Sequence, residues 1–484
     1  MPATAPDPLH LCLDQGGHAS RALVFDRRGV WQAGALREVA VREPRSGWVE
    51  QDPEELVASL QAAIAETIGA LGARAANIVA AGIATQRASL VCWDRQTGAA
   101  LSPVISWQDR RAHAWLRQFS AHTREVHRRT GLILSPHYGA SKMRWCLDHL
   151  PAVAAARREG RLVMGPLASF LLFRLLEEKP LLADPANAAR TLLWNLRTRD
   201  WDAWLLGLFG IPPETLPHCV PTRHAFGTLI ANEHRLPLTI ATGDQSAALF
   251  GLGAPSPDTV YVNIGTGAFV QRAVAQAPDV PGLLGSMVYR DAERALYVLE
   301  GTVNGAGAAL RWAEREWRLE NLEAQLPEWL ARDGDVPLFL NGVAGLGAPY
   351  WVADFPSRLI GDGEPWQQAC AVAESIVFLL QANLERMQPL PPAPQRLFVS
   401  GGLAQLDGLC RRLADLSGLP VYRPTEYEAT ARGTAYLLAG YPRDWPKQIA
   451  RDSFPPRPDS AFIQRYTSWC REMRLALDAT ASGQ

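Results

Sequence analysis

Three glycine turns and two aspartates carry the chemical signal in this chain. The first turn, Gly16-Gly17-His18, sits in "LDQGGHASRALVFD" between two apolar runs, with Asp14 just before it and Arg21 just after. The second is Gly265-Thr266-Gly267 in "NIGTGAFV", and the third is Gly401-Gly402 in "SGGLAQLDG". A glycine turn brings backbone N–H groups up to phosphate oxygens with no Cβ in the way. None of the three is a Walker A loop or a G-x-G-x-x-G fingerprint, and each alone also reads as a plain hairpin turn. Three of them, each ending an apolar run, point to a nucleotide cleft. Asp14 suits Mg2+, held directly or through water beside a polyphosphate, or else it caps the turn. Arg21 is placed to reach phosphate, or is an exposed strand charge. Asp244, in "ATGDQSAALFG", follows an apolar strand and precedes a small-residue helix whose N-terminus favours an anion. It fits a general base that takes a proton from a substrate hydroxyl during phosphoryl transfer, with a helix cap as the alternative reading.

A second set suits a polyhydroxylated substrate. Arg87 ends an apolar run in "IATQRASL", Trp107 lies in "ISWQDRRAH" and Tyr138 in "SPHYGASK". Aromatic faces pack on C–H groups while polar tips bond hydroxyls; ordinary packing explains the two aromatics equally well. The ten histidines form no zinc pattern.

These residues need elements to hold them. "DPEELVASLQAAIAETIGAL" predicts a helix, with Asp52 as N-cap, Pro53 at its first position, Glu55 closing a capping box, and Leu56, Leu60, Ile64 and Ile68 on one face. "NIVAAGIATQ" (77–86) predicts a buried strand, and "SLVCWD" (89–94) a strand beside it. Residues 105–235 read mostly as helix and loop. A new strand-then-helix unit opens at "LPLTIATGDQSAALFGLG" (236–253), and "TVYVNIGTGAFVQRAV" (259–274) repeats the plan of the opening hairpin. The expected fold is α/β: two related halves, 1–239 and 240–484, with the ligand cleft between them.

Composition narrows the partners. The 484 residues carry 48 Lys and Arg against 49 Asp and Glu, so no basic field is present to hold nucleic acid or an anionic membrane. Seven scattered cysteines without a C-x-x-C pair suggest reduced thiols. "MPATAPDPLH" has neither the basic nor the apolar region of a signal peptide, and "LVMGPLASFLLF" (162–173) stops at Arg174, too short to span a bilayer. A cytoplasmic protein is expected, with a homodimer among the assemblies allowed.

The motifs, taken in order, resemble those of the FGGY carbohydrate kinases, and among them most closely the glycerol-kinase members. "LDQGGHASRALVFD", "GWVEQDPEEL", "GIATQRASLVCWDRQTG", "ISWQDRRA", "NAARTLLWNLRTRDWD", "GDQSAALFG", "NIGTGAFV", "GTVNGAGAALRW", "GVAGLGAPYW", "SGGLAQLDG" and "YEATARGTAYLLAG" follow the family's sequence from about residue 11 to 440. The resemblance implies two actin-like, ribonuclease H-like domains from an internal duplication, closing on MgATP and a small sugar, ketose or polyol. It implies that Asp14 and Asp244 serve the metal. Gly16, Gly17, His18, Arg21, Thr266, Gly267, Gly307, Arg311, Gly401 and Gly402 would line the nucleotide. Arg87, Trp107, Tyr138, Asp244, Gln245 and Phe269 would surround the acceptor, with Asp244 as base. The chain departs from the pattern in places. Glycerol-kinase members have Arg-Glu, the glutamate being a substrate ligand, where this chain has Arg87-Ala88. The first loop lacks the family's threonines, Val352 replaces an aspartate, and "IGDGEP" (360–365) is short. An acceptor other than glycerol is therefore expected. The alternative is a catalytically degenerate sensor of a sugar or nucleotide on the same fold.

Overall fold

A computed structural model describes residues 7–482 apart from 320, 333, 426, 427 and 446–449; Tyr427, the first residue of the last quoted motif, lies outside the described residues. The opening strand β1 (Leu9–Gln15) alternates at period two: Leu9, Leu11 and Leu13 enter one core and Cys12 another, so both faces are buried. It continues into β2 (Ala19–Asp26) and β3 (Trp31–Glu38) as an antiparallel meander. Helix α1 (Pro53–Leu71) starts where expected: Asp52 accepts from the Glu54 and Glu55 N–H groups, and Pro53 fills the first position. The capping box does not form, because the Glu55 carboxylate instead accepts from Ala40 N at 2.8 Å and ties the helix start to the preceding loop. Leu56, Leu60, Ile64 and Ile68 are buried, each contributing about 1.5–3 kcal/mol by leaving water. Pro53–Asn77 is the one described segment long and apolar enough to cross a membrane, and half of it is buried within the fold.

β4 (Ile78–Thr85) runs parallel to β1. β5 (Leu90–Asp94) is not its neighbour, contrary to the sequence expectation. It pairs with β6 (Leu162–Pro166) in a separate four-stranded sheet. Both edges of β4 are already taken, and Ala88, at φ 62°, turns the chain out of the first sheet. Between these strands comes α2 (Gly139–His149); after β6 come α3 (Leu167–Leu175) and the short α4 (Pro185–Ala188). β7 (Arg223–Ala231) and β8 (His234–Gly243) form an antiparallel pair, and β8 also pairs parallel with β4. The first sheet is thus ordered β7-β8-β4-β1-β2-β3. The expected division at 239/240 falls inside β8. That strand stays with the first half because its partners are β4 and β7, so the second half begins beyond it. One helical turn, α5 (Asp244–Ala248), follows.

The second half repeats the plan. β9 (Thr259–Ile264), β10 (Ala268–Val274), β11 (Leu284–Arg290) and β12 (Ala295–Val303) are antiparallel, with β12 lying between β10 and β11. Then come α6 (Gly307–Glu316), α7 (Pro365–Met387), β13 (Arg396–Ser400), α8 (Asp407–Ser417), β14 (Val421–Pro424), α9 (Ala429–Leu438), β15 (Ala450–Phe454) and α10 (Ser460–Ser482). β13 runs parallel to β9 and β14 parallel to β13, giving β11-β12-β10-β9-β13-β14-β15. The first half therefore has three antiparallel strands and the second four, each set followed by two parallel strands and an antiparallel edge strand. Helix α9, from the end of the second half, packs across β1 and β4 of the first and joins the halves in one core with Cys12, Ile240 and Phe250.

Candidate active site

The first sheet lines up its chemistry by register. In the parallel trio β1, β4 and β8, Gln15, Thr85 and Gly243 are level, so Asp14, Arg87 and Asp244 cluster at neighbouring carboxyl ends, where open α/β sheets place ligands. In the antiparallel hairpin, Asp14 lies directly opposite Arg21, and their side chains meet at 3.4 Å. A cavity of about 360 Å3 between the halves is lined by Asp14, Arg21, Asp244, Gln245, Phe269 and Gln271 among others. Arg21 also approaches Glu428 from the second half at 3.8 Å.

Burial dominates the electrostatics here. Asp14 is 6 % exposed, and burial followed by the Asp244 charge pushes its carboxyl up to about 7, with Arg21 opposing. Burial also raises Asp244, against the pull of Arg87 and of a 2.6 Å hydrogen bond from Gln245 N to one carboxylate oxygen. Gly243, not Asp244, is the N-cap of α5. Asp244 stands one residue inside, and it lines the cavity.

Next to this pair lies a buried charge network that sequence reasoning missed. Glu300, on β12, accepts from Arg190 at 2.9 Å, from Arg87 at 3.2 Å and from Gln271 at 2.8 Å. Burial alone would raise Glu300, but the two guanidiniums hold it down to about 2. Arg87 also donates to the Gln245 side chain, and Arg190 bonds the Tyr138 hydroxyl. Tyr138 is buried, which pushes its phenol up to about 12. Trp107 sits at the rim, 40 % exposed, with its indole beside Gly17. Lys142 on α2 was missed as well; its ammonium donates to the backbone carbonyls of Ala88, Ser106 and His137, each next to one of Arg87, Trp107 and Tyr138. Arg190 stands in the quoted "NAARTLLWNLRTRDWD" and Lys142 ends "SPHYGASK", but the sequence singles out neither them nor Glu300, since each lies outside the glycine turns and acquires its partners only on folding.

The second half gathers its expected phosphate residues at the ends of β9 and β13. Gly307 N donates to Gly265 O at 2.9 Å, Ala308 N to Thr266 O at 2.9 Å, and the Arg311 guanidinium to Thr266 Oγ1 at 3.3 Å. A Cβ on Gly267 would lie 2.9 Å from Val303 O, and one on Gly307 2.8 Å from Gly265 O, so both glycines are sterically required. Gly401, at φ +94°, passes so close to Ile264 that a Cβ would sit 2.5 Å from its carbonyl oxygen. Thr266, Gly267, Gly307, Arg311 and Gly401 thus form one surface. Gly402 opens a short 3-10 turn beside it. In the first half, Gly16 N closes a turn onto Ala19 O at 2.9 Å, and Gly17 O accepts from Gln51. His18 is exposed.

The sequence matches two family models, the N-terminal domain of the FGGY family of carbohydrate kinases over residues 9–251 and its C-terminal domain over 260–440. A glycerol kinase of Trichlorobacter lovleyi is 38% identical over 461 residues, covering 91% of this chain and 92% of that protein. One from Ralstonia nicotianae is 36% identical over 447 residues, covering 88% of each. Among solved structures, Plasmodium falciparum glycerol kinase with ADP superposes with a TM-score of 0.89 at 22% identity, covering 97% of this chain and 98% of that one. Xylulose kinase from Rhodospirillum rubrum gives 0.86 at 21%, covering 96% and 98%. Relatives named for glycerol give no support to the expectation that glycerol is excluded as acceptor. Matched in both halves and across nearly its whole length, the chain belongs to the FGGY family of carbohydrate kinases.

Proposed function

We propose that this protein transfers the γ-phosphoryl group of ATP to a hydroxyl of a small polyol or sugar held in the cavity between its halves. The observation that carries the reading is the shared cavity itself: Asp14 and Asp244 both line it, with Arg21 beside one and Arg87 beside the other. Asp244 is the base. Burial raises its proton affinity toward the range in which a carboxylate accepts a proton efficiently, and the Gln245 N–H fixes its orientation. Arg87, held by Glu300, and Tyr138, held by Arg190, present donors to the acceptor, while Phe269 and Trp107 supply apolar faces. Thr266, Gly267, Gly307 and Arg311 take the phosphate tail, with Gly16, Gly17 and Arg21 opposite. Positioning and charge stabilisation then carry most of the rate.

The residues present fit a magnesium ion. Asp244 destabilises the Asp14 carboxylate across the cavity, a repulsion that a divalent cation relieves. Mg2+ takes only one or two carboxylates alongside phosphate oxygens and water, so this pair suffices. When bound, the ion neutralises phosphate charge.

Two observations bear on the acceptor. The relatives' names make glycerol the first one to try. Ala88, next to Arg87, adds no carboxylate to the wall and extends the panel to longer ketoses such as xylulose. The test measures ADP release with ATP, Mg2+ and each acceptor in turn. Acceptor-dependent release is expected. ADP release without any acceptor would make the protein a phosphohydrolase, and ligand binding without release from any acceptor would make it a sensor.

A further inference from the structure

Lys142 lies on α2 with 1 % of its surface exposed. Its ammonium donates to three backbone carbonyls: Ala88 at 3.0 Å, Ser106 at 2.7 Å and His137 at 2.7 Å. An ammonium has three N–H donors, and here each has its own acceptor. The three carbonyls come from segments far apart in sequence. Each adjoins one residue of the acceptor wall: Ala88 follows Arg87, Ser106 precedes Trp107 and His137 precedes Tyr138. Weaker ties link the same segments. Ser89 Oγ donates to Gln86 at 2.9 Å and accepts from Trp107 N at 3.0 Å, and the His137 ring bonds Trp107 O at 2.9 Å. Ala88 is also held at φ 62°, a conformation an alanine seldom adopts, and its carbonyl is one of the three.

We propose that Lys142 is a positioning residue that sets the geometry of the acceptor wall by pinning the Arg87, Trp107 and Tyr138 segments to one buried cation. The role rests on the reading of those three residues as the acceptor wall. A core lysine serving only to fill space needs no such convergence, and a leucine or methionine would fill the same volume without the cost of burying a charge. Burial draws the Lys142 ammonium down to about 7, with the Asp109 charge opposing and Arg111 adding to the shift, and the three carbonyls accept its N–H donors where water cannot.

The test compares the wild-type protein with Lys142→Met, which keeps the length and removes all donors, and Lys142→Gln, a milder change that keeps two. Steady-state kinetics with glycerol and with xylulose are expected to show KM for the acceptor raised about tenfold or more in Lys142→Met, with KM for ATP unchanged, because displacing wall segments by a fraction of an ångström misplaces the acceptor but not the nucleotide. Hydrogen exchange provides a readout that does not depend on turnover. Amides in 87–90, 105–108 and 136–139 are expected to exchange faster together in either variant, while the hairpin at 13–21 and the loop at 264–268 keep wild-type protection. A uniform rise in exchange across the molecule, no rise in the three segments, or a parallel rise of both KM values would overturn the assignment. If the wild-type protein phosphorylates neither probe, the acceptor reading is at fault, and the exchange pattern still decides whether Lys142 holds the three segments together.

Discussion

Asp14 and Asp244 share a cavity but differ in what their removal does. Asp244→Asn keeps the shape and removes the proposed base, so kcat is expected to fall by about 10²–10⁴-fold while ATP affinity, measured by calorimetry, stays as in the parent. Asp14→Asn is predicted to stabilise the unliganded protein at pH 8 by about 1–3 kcal/mol. The sign follows from its raised pKa, about 7 against an ordinary 3.8. The folded state binds the Asp14 proton more tightly than the unfolded one, so stability falls as pH rises from about 4 through 7. Above that range the wild type carries a buried repelled charge, and the Asp14→Asn variant does not. Urea denaturation at pH 8 and pH 4 checks it: the gain belongs to pH 8 and shrinks at pH 4. Both aspartates were legible in the sequence because each sits beside a glycine turn or a helix start. Glu300, Arg190 and Lys142 were not. Nothing local distinguishes a glutamate in "YVLEGTV" from a surface charge until folding brings two arginines to it.

Elements set how closely those residues approach. The hairpins, α1 with its Asp52 cap and the repeated plan near 259 could be read from alternation, glycine and capping signals. The pairing of β5 could not, since a short apolar run says nothing of which edges remain free. Nor could the packing of α9 onto the first sheet, which joins residues more than 180 positions apart: Thr430 Oγ1 donates to Asp244 O at 3.4 Å with a separation of 186. That contact depends on Gly433, where a Cβ would lie 1.8 Å from Ala247 O, and on Gly82, where one would lie 2.9 Å from the Thr434 methyl. Gly433→Ala must push α9 off α5 and shift Asp244. We expect a loss of about 1–3 kcal/mol by chemical denaturation. Turnover should fall further than the loss of folded protein explains. A Gly433→Ala variant with wild-type stability and turnover would show that the two helices are not in close contact.

At the scale of the whole molecule, the two large sheets follow one plan and are tied at the floor of their cleft. Arg87 and Arg190 come from the first half, Glu300 and Gln271 from the second, and all four are buried where the halves meet. Arg21 reaches Glu428 nearer the cavity, but there the side chains are 30 % and 44 % exposed, so solvent screens the pair and it contributes little. The buried triad is different. Replacing Glu300 by Gln keeps the volume but leaves two guanidiniums facing each other without their shared counter-charge. Breaking a buried pair from one side costs about 3–5 kcal/mol, far more than the pair's own net contribution. Glu300→Gln is therefore predicted to lower stability by that amount and to weaken acceptor binding, because Arg87 loses its partner directly and Tyr138 loses it through Arg190. Ligands that contact both halves should recover part of the loss, since they restore a tie across the cleft. Urea denaturation with and without ATP and acceptor measures both effects. A variant as stable as the wild type would mean that the triad adds nothing to the joint between the halves, which would then rest on apolar contacts such as the α9 core and the packing of Trp194 and Leu196 on Met287 and Tyr297.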